Sequence, residues 1–127
     1  IGSTARAYAA AYLEGVDGFV LDEKGNVWAA ANERNAIVFV DGKHGRVNEF
    51  FRNPPNPSTM LRNGGPLELP TSPVLLHHRL CVTSSDGNRR DNSPNSAGEV
   101  RPGSAAVAKI SCLDQRVPVS GAELPVR

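Results

Sequence analysis

The chain is poor in the residues that mark several common chemistries. It has 127 residues and two cysteines. Cys81 and Cys112 form no C-x-x-C pair and have no histidine pair near them at ligand spacing, so no zinc-type pattern is present. The preferred reading of them is two half-buried thiols on strands, with a single disulfide as the alternative. No run of about 18 apolar residues exists, so nothing is built to span a bilayer. Neither charge sign dominates: 14 basic against 13 acidic side chains give a net +1. That leaves no electrostatic case for a nucleic acid or an anionic membrane as partner. A G-x-S-x-G elbow and a P-loop are both missing. The opening "IGSTARAYAAAYLE" has no initiator Met and no basic segment ahead of an apolar core, so it is not a signal peptide. It reads as a cut or processed end, and no compartment follows from it.

What is present is ordinary globular composition, 39% hydrophobic and 21% charged, at a length that suggests one domain or less. Short apolar runs alternate with turn residues. "GFVLD" (18–22) is followed by "DEKGN", whose Gly25 and Asn26 tolerate positive φ in a hairpin turn. "VWAAAN" (27–32), "AIVFVD" (36–41) and "RVNEFF" (46–51) follow, separated by "ERN" and "GKHG". The runs are too short and too often interrupted for helices, and they predict a four-stranded antiparallel meander. The nearly continuous apolar character of the first run predicts the deepest strand, and the alternation of the fourth predicts a strand that meets water.

Residues 53–66 are rich in proline, glycine and asparagine and predict a loop. The pattern then returns. "SPVLL" (72–76), the turn "HHR", "LCVTSS" (80–85) and, after a polar insertion spanning 86–107, "KISCLD" (109–114) repeat the order of the first unit. Consecutive four-stranded units at this spacing suggest propeller blades. The expected organisation is an all-β chain forming part of one β-propeller. One blade covers about 15–52 and another about 67–127. Residues 5–13 would be the outer strand of a preceding blade, or else a short helix. Two blades leave apolar faces open, so the chain reads as a fragment whose missing part lies upstream. The tail "DQRVPVSGAELPVR" demands no continuation and reads as a true C-terminus.

The stretch "GVDGFVLDEKGNVWAAA" resembles the P-D-G-hydrophobic-x-x-D-x-x-G-N-hydrophobic-W segment of the gluconolactonase-like family. "LPTSPVLLHHRLCVTSSD" is similar to that family's following blade, and "AVAKISCLD" to its closing strand. The resemblance covers about residues 12–114. It implies a six-bladed propeller that binds one divalent cation, often calcium, in its channel and hydrolyses a lactone or related ester. The family's P-D-G acid, a metal ligand and proposed base, falls on Asp17, with Val16 in place of the usual proline. A carboxylate at the mouth of a channel-lining strand suits a hard cation. The family's other ligands, a Glu and two Asn, have no counterpart here, so the remaining N-terminal part of the ring is an implied partner.

Each candidate has a plainer rival. Asp17 alone would be an Asp-Gly turn residue, and only the resemblance reverses that preference. Asp86 and Asn88, at the start of the insertion, are weak candidates for a substrate rim and more simply a β-turn. His77 and His78 read as exposed turn residues, Arg89 and Arg90 as a solvated loop, and Trp28 as core between blades.

Overall fold

A computed structural model describes residues 11–58, 60, 62, 64–85 and 109–122. Among these residues, seven strands form two antiparallel sheets. β1 (Val16–Leu21), β2 (Val27–Ala31), β3 (Ala36–Val40) and β4 (Val47–Arg52) pair in chain order. β5 (Pro70–Leu76), β6 (Arg79–Ser84) and β7 (Lys109–Arg116) form the second sheet, also in chain order. The expected apolar runs therefore became strands, with ends moved by a residue or two.

The turns follow from local chemistry. Gly25 (φ 78) closes the β1–β2 hairpin, and Gly45 (φ 70) precedes β4. Between β2 and β3 a single 3-10 turn, Asn32–Arg34, ends on Asn35 in the left-handed region at φ 49. The β5–β6 hairpin carries two successive left-handed residues, His77 (φ 45) and His78 (φ 66), the backbone that a two-residue hairpin with right-handed twist requires. Pro73 sits inside β5, where its missing N–H costs nothing. Among the described residues β5 pairs with β6 alone, at the edge of its sheet.

The two sheets pack against each other. Trp28, Ile37, Leu67, Leu75, Leu80, Val82 and Leu113 share one buried cluster between them. Trp28 is 3% exposed and meets Phe39 and Phe50 edge-on, each at a centroid distance of 4.9 Å. It is the inter-sheet core residue that the sequence suggested. A second cluster, Ala31, Ala36, Val38 and Val40 with Leu13, covers the far side of the first sheet. The sheets approach most closely along β1, β2 and β5. There a Cβ on Gly18 would lie 2.4 Å from the Thr71 carbonyl oxygen, so only glycine lets β1 rest on β5.

The loop after β4 is largely exposed but is fastened by two asparagines that are fully out of solvent. Asn53 donates to the Arg62 and Leu67 carbonyls and accepts from the Leu67 amide, while Asn35 accepts from the Leu69 amide at 2.8 Å. This satisfies backbone groups of 62–69 that no ladder reaches. After β7 the chain turns back, and Gly121 bridges to Asp22 at the end of β1, with the Ala122 amide on the Leu21 carbonyl at 3.0 Å.

Three expectations need correction. Cys81 and Cys112 are not thiols. They stand directly opposite each other on β6 and β7, with Cα atoms 3.9 Å apart, and are joined as a disulfide. Their register depends on a span between the strands that local patterning does not determine. Second, β1 is the most exposed strand of its sheet, not the deepest, with Phe19 at 64%. Its position at the sheet edge outweighs its apolar content, and β2 and β3 in the middle take the burial instead. β4 is half-buried along most of its length. Third, within the stretch 5–13, residues 5–10 lie outside the described residues, and Ala11–Leu13 form a 3-10 turn rather than strand. Asp86, Asn88, Arg89 and Arg90 also lie outside the described residues.

Candidate functional site

Asp17 sits where the two sheets come together, and its surroundings explain why the chain takes this path. Gly15 has φ +66, and a Cβ there would press on the Glu33 side chain at 3.0 Å. The Asn32 amide donates to the Gly15 carbonyl at 2.7 Å, fastening the approach to β1 onto the β2–β3 turn. Gly18 on the other side brings β1 against β5. Pairing with β2 is irregular between Val16 and Phe19, so Asp17 and Gly18 stand outside the regular ladder. Two glycines with separate steric reasons thus present one exposed carboxylate. Asp17 makes no hydrogen bond or ion pair among the described residues.

Next to this junction lies a hydroxyl group cluster on the second sheet. Thr71 Oγ1 and Thr83 Oγ1 are 2.8 Å apart, and the Ser72 amide donates to Thr83 Oγ1 at 3.1 Å. Asn32 Nδ2 donates to the Pro70 carbonyl at 3.3 Å, tying the β2–β3 turn to the start of β5. These bonds hold the start of β5 in place beside Gly18.

Among the described residues, no three His, Cys, Asp or Glu side chains gather as a metal-binding group. A calcium ion takes six to eight oxygens, and Asp17 supplies one carboxylate. The described residues by themselves therefore do not fit a divalent metal site. No described helix is long and apolar enough to cross a membrane.

The second acid of the same stretch has a different role. Asp22 is 1% exposed. It accepts from the Trp28 indole N–H at 2.9 Å, from Asn26 Nδ2 at 3.0 Å, and from the Lys24 and Asn26 amides at 2.9 Å each. Burial pushes its carboxyl up, but the donors from Trp28, Asn26 and Lys24 together hold it below its ordinary value. It is a turn and core anchor, and sequence reasoning did not single it out. The available signal was the spacing of Asp22, Gly25, Asn26 and Trp28: an acid followed by a turn and an indole that needs an acceptor.

Two cavities lined by described residues lie away from Asp17. One of about 430 Å³ is walled by Trp28, Phe39, Phe50 and Val119. The other, of about 470 Å³, is bounded by the β5–β6 turn, the disulfide and two arginines. His77 is exposed as expected, whereas His78 is half-buried with Nδ1 3.2 Å from the Val117 carbonyl.

No family model, curated protein or solved structure matches the chain. Fold and site define a mostly antiparallel β protein built of two packed sheets with an exposed acid at their junction.

Proposed function

We propose that the two sheets are consecutive blades of a six-bladed gluconolactonase-like propeller. The complete ring acts as a lactonase-like hydrolase on a lactone or related ester. In this reading β1 and β5 are the innermost strands of their blades, and Asp17 projects into the channel, where it accepts a proton from the water that attacks the carbonyl. Calcium enters only with oxygen donors from blades outside the described residues. The observation that carries the reading is the placement of Asp17: an exposed carboxylate without a partner among the described residues, held by two sterically required glycines where successive sheets meet. Close approach at β1 and β5 supports a radial arrangement of the sheets.

The test uses full-length protein and a panel of five- and six-membered lactones followed by pH-stat. Hydrolysis should require calcium, stop with chelator, and fall by about a hundredfold or more in Asp17→Asn. Equal hydrolysis by the variant would remove Asp17 from the reaction. A second reading is a propeller module of the same fold that binds without catalysis. Its expected result is no hydrolysis of any lactone by a folded wild-type protein.

A further inference from the structure

The cavity at the β5–β6 turn combines two features that call for one ligand chemistry. The first is its wall of sulfur. Both Cys81 and Cys112 line it, and Cys112 is exposed although Cys81 is only 2% exposed. Cys112 is therefore the half of the bond nearer to solvent.

The second is a pair of like charges. Arg79 and Arg116 stand directly opposite each other on β6 and β7, and both line the same cavity. Like charges facing each other across a ladder destabilise a sheet. Neither guanidinium has an acid partner among the described residues, whereas Arg34 and Lys109 do. Asp114, exposed on β7 between Cys112 and Arg116, neither lines the cavity nor pairs with either arginine. A cationic pair with no acid partner among the described residues, beside an accessible disulfide, favours an approaching anion.

We propose that Cys81–Cys112 is an exchange site for a small anionic thiol, recognised through carboxylates by Arg79 and Arg116. The thiolate attacks Sγ of Cys112, a new S–S bond forms there, and the Cys81–Cys112 bond breaks with its electron pair leaving on Cys81 Sγ. The two guanidiniums offset the cost of forming that thiolate at a buried position. A second thiolate attacks the small-molecule sulfur of that mixed disulfide, and the bond to Cys112 breaks with its electron pair leaving on Cys112 Sγ. This gives an oxidised small-molecule disulfide and a protein dithiol once both cysteine sulfurs take protons from water. This site is independent of Asp17 and of the hydrolase reading.

The experiment follows mixed-disulfide formation on full-length protein by mass spectrometry. It compares glutathione, which is anionic, with cysteamine, which is cationic, and with neutral mercaptoethanol, each rate taken per thiolate. Glutathione should react about tenfold faster than cysteamine at low ionic strength, and the ratio should shrink in high salt. Arg79→Gln with Arg116→Gln should bring the ratio close to one. Because that variant removes a repulsive pair, it should fold, which circular dichroism checks. Asp114→Asn should raise the ratio. The proposal is overturned if the isolated protein holds two free thiols, if the adduct forms first on Cys81, or if the ratio is unchanged in the double glutamine variant.

Discussion

Replacing Asp22 with alanine tests whether a single carboxylate joins the first hairpin to the inter-sheet core. The side chain is 1% exposed and accepts from the Trp28 indole at 2.9 Å, so its loss strands a buried donor. That costs about 1–3 kcal/mol. The Asn26 and Lys24 donors are partly buried, and water replaces some of what they lose, adding roughly 1 kcal/mol. Asp22→Ala should therefore destabilise the fold by about 3 kcal/mol, and Asp22→Asn, which keeps one acceptor, by about half of that. The assay is built into the chain, because Trp28 is its one tryptophan and its emission reports urea unfolding directly. The pH dependence has a definite sign. The folded carboxyl lies below its ordinary 3.8, so its contribution is fully present above that value and is lost as pH falls through the folded one. The difference in stability between wild type and Asp22→Asn should thus shrink on acidification below pH 4. A loss under about 0.5 kcal/mol in Asp22→Ala, the scale of ordinary surface changes, would refute the reasoning.

Three more expectations follow from packing and charge. Gly18→Ala places a methyl 2.4 Å from the Thr71 carbonyl oxygen and should destabilise by about 1–3 kcal/mol, seen as a lowered Tm. Asn53→Ala takes Asn53 from the buried Leu67 amide and carbonyl, while the Arg62 carbonyl keeps Asn35 Nδ2 at 3.0 Å, and should lower stability by about 2–4 kcal/mol, with faster proteolytic nicking in the loop that follows. Asp41 accepts from the His44 ring at 2.8 Å and from the His44 and Lys43 amides, which lowers its carboxyl to about 2. In an NMR titration His44→Ala should move that carboxyl upward, toward 3.8.

Strand positions were legible because period and turn chemistry are local properties. Gly25, Gly45 and the short apolar runs between them state the meander without reference to the rest of the chain. The burial of β1 was not legible in the same way: "GFVLD" has the composition of a core strand, but exposure depends on what lies across the sheet edge. The disulfide was hidden for a related reason. Cys81 and Cys112 are separated by 31 positions, and nothing in the intervening polar residues states the register of β7 on β6. Asp17 was visible as an acid between Val16 and Gly18, yet its placement against β5 rests on Gly18 meeting Thr71, a contact between units. The role of Asp22 was written in the turn spacing and went unread because an acid beside a glycine turn has a simpler local explanation.

Calcium titration of the full-length protein by calorimetry, with Asp17→Asn beside it, bears most directly on the reading of the site. The account predicts one bound calcium per chain in the wild type and binding weakened by about tenfold or more in a variant that keeps the native Trp28 emission. Identical calcium binding by the two proteins, or none by a folded wild type, would contradict it.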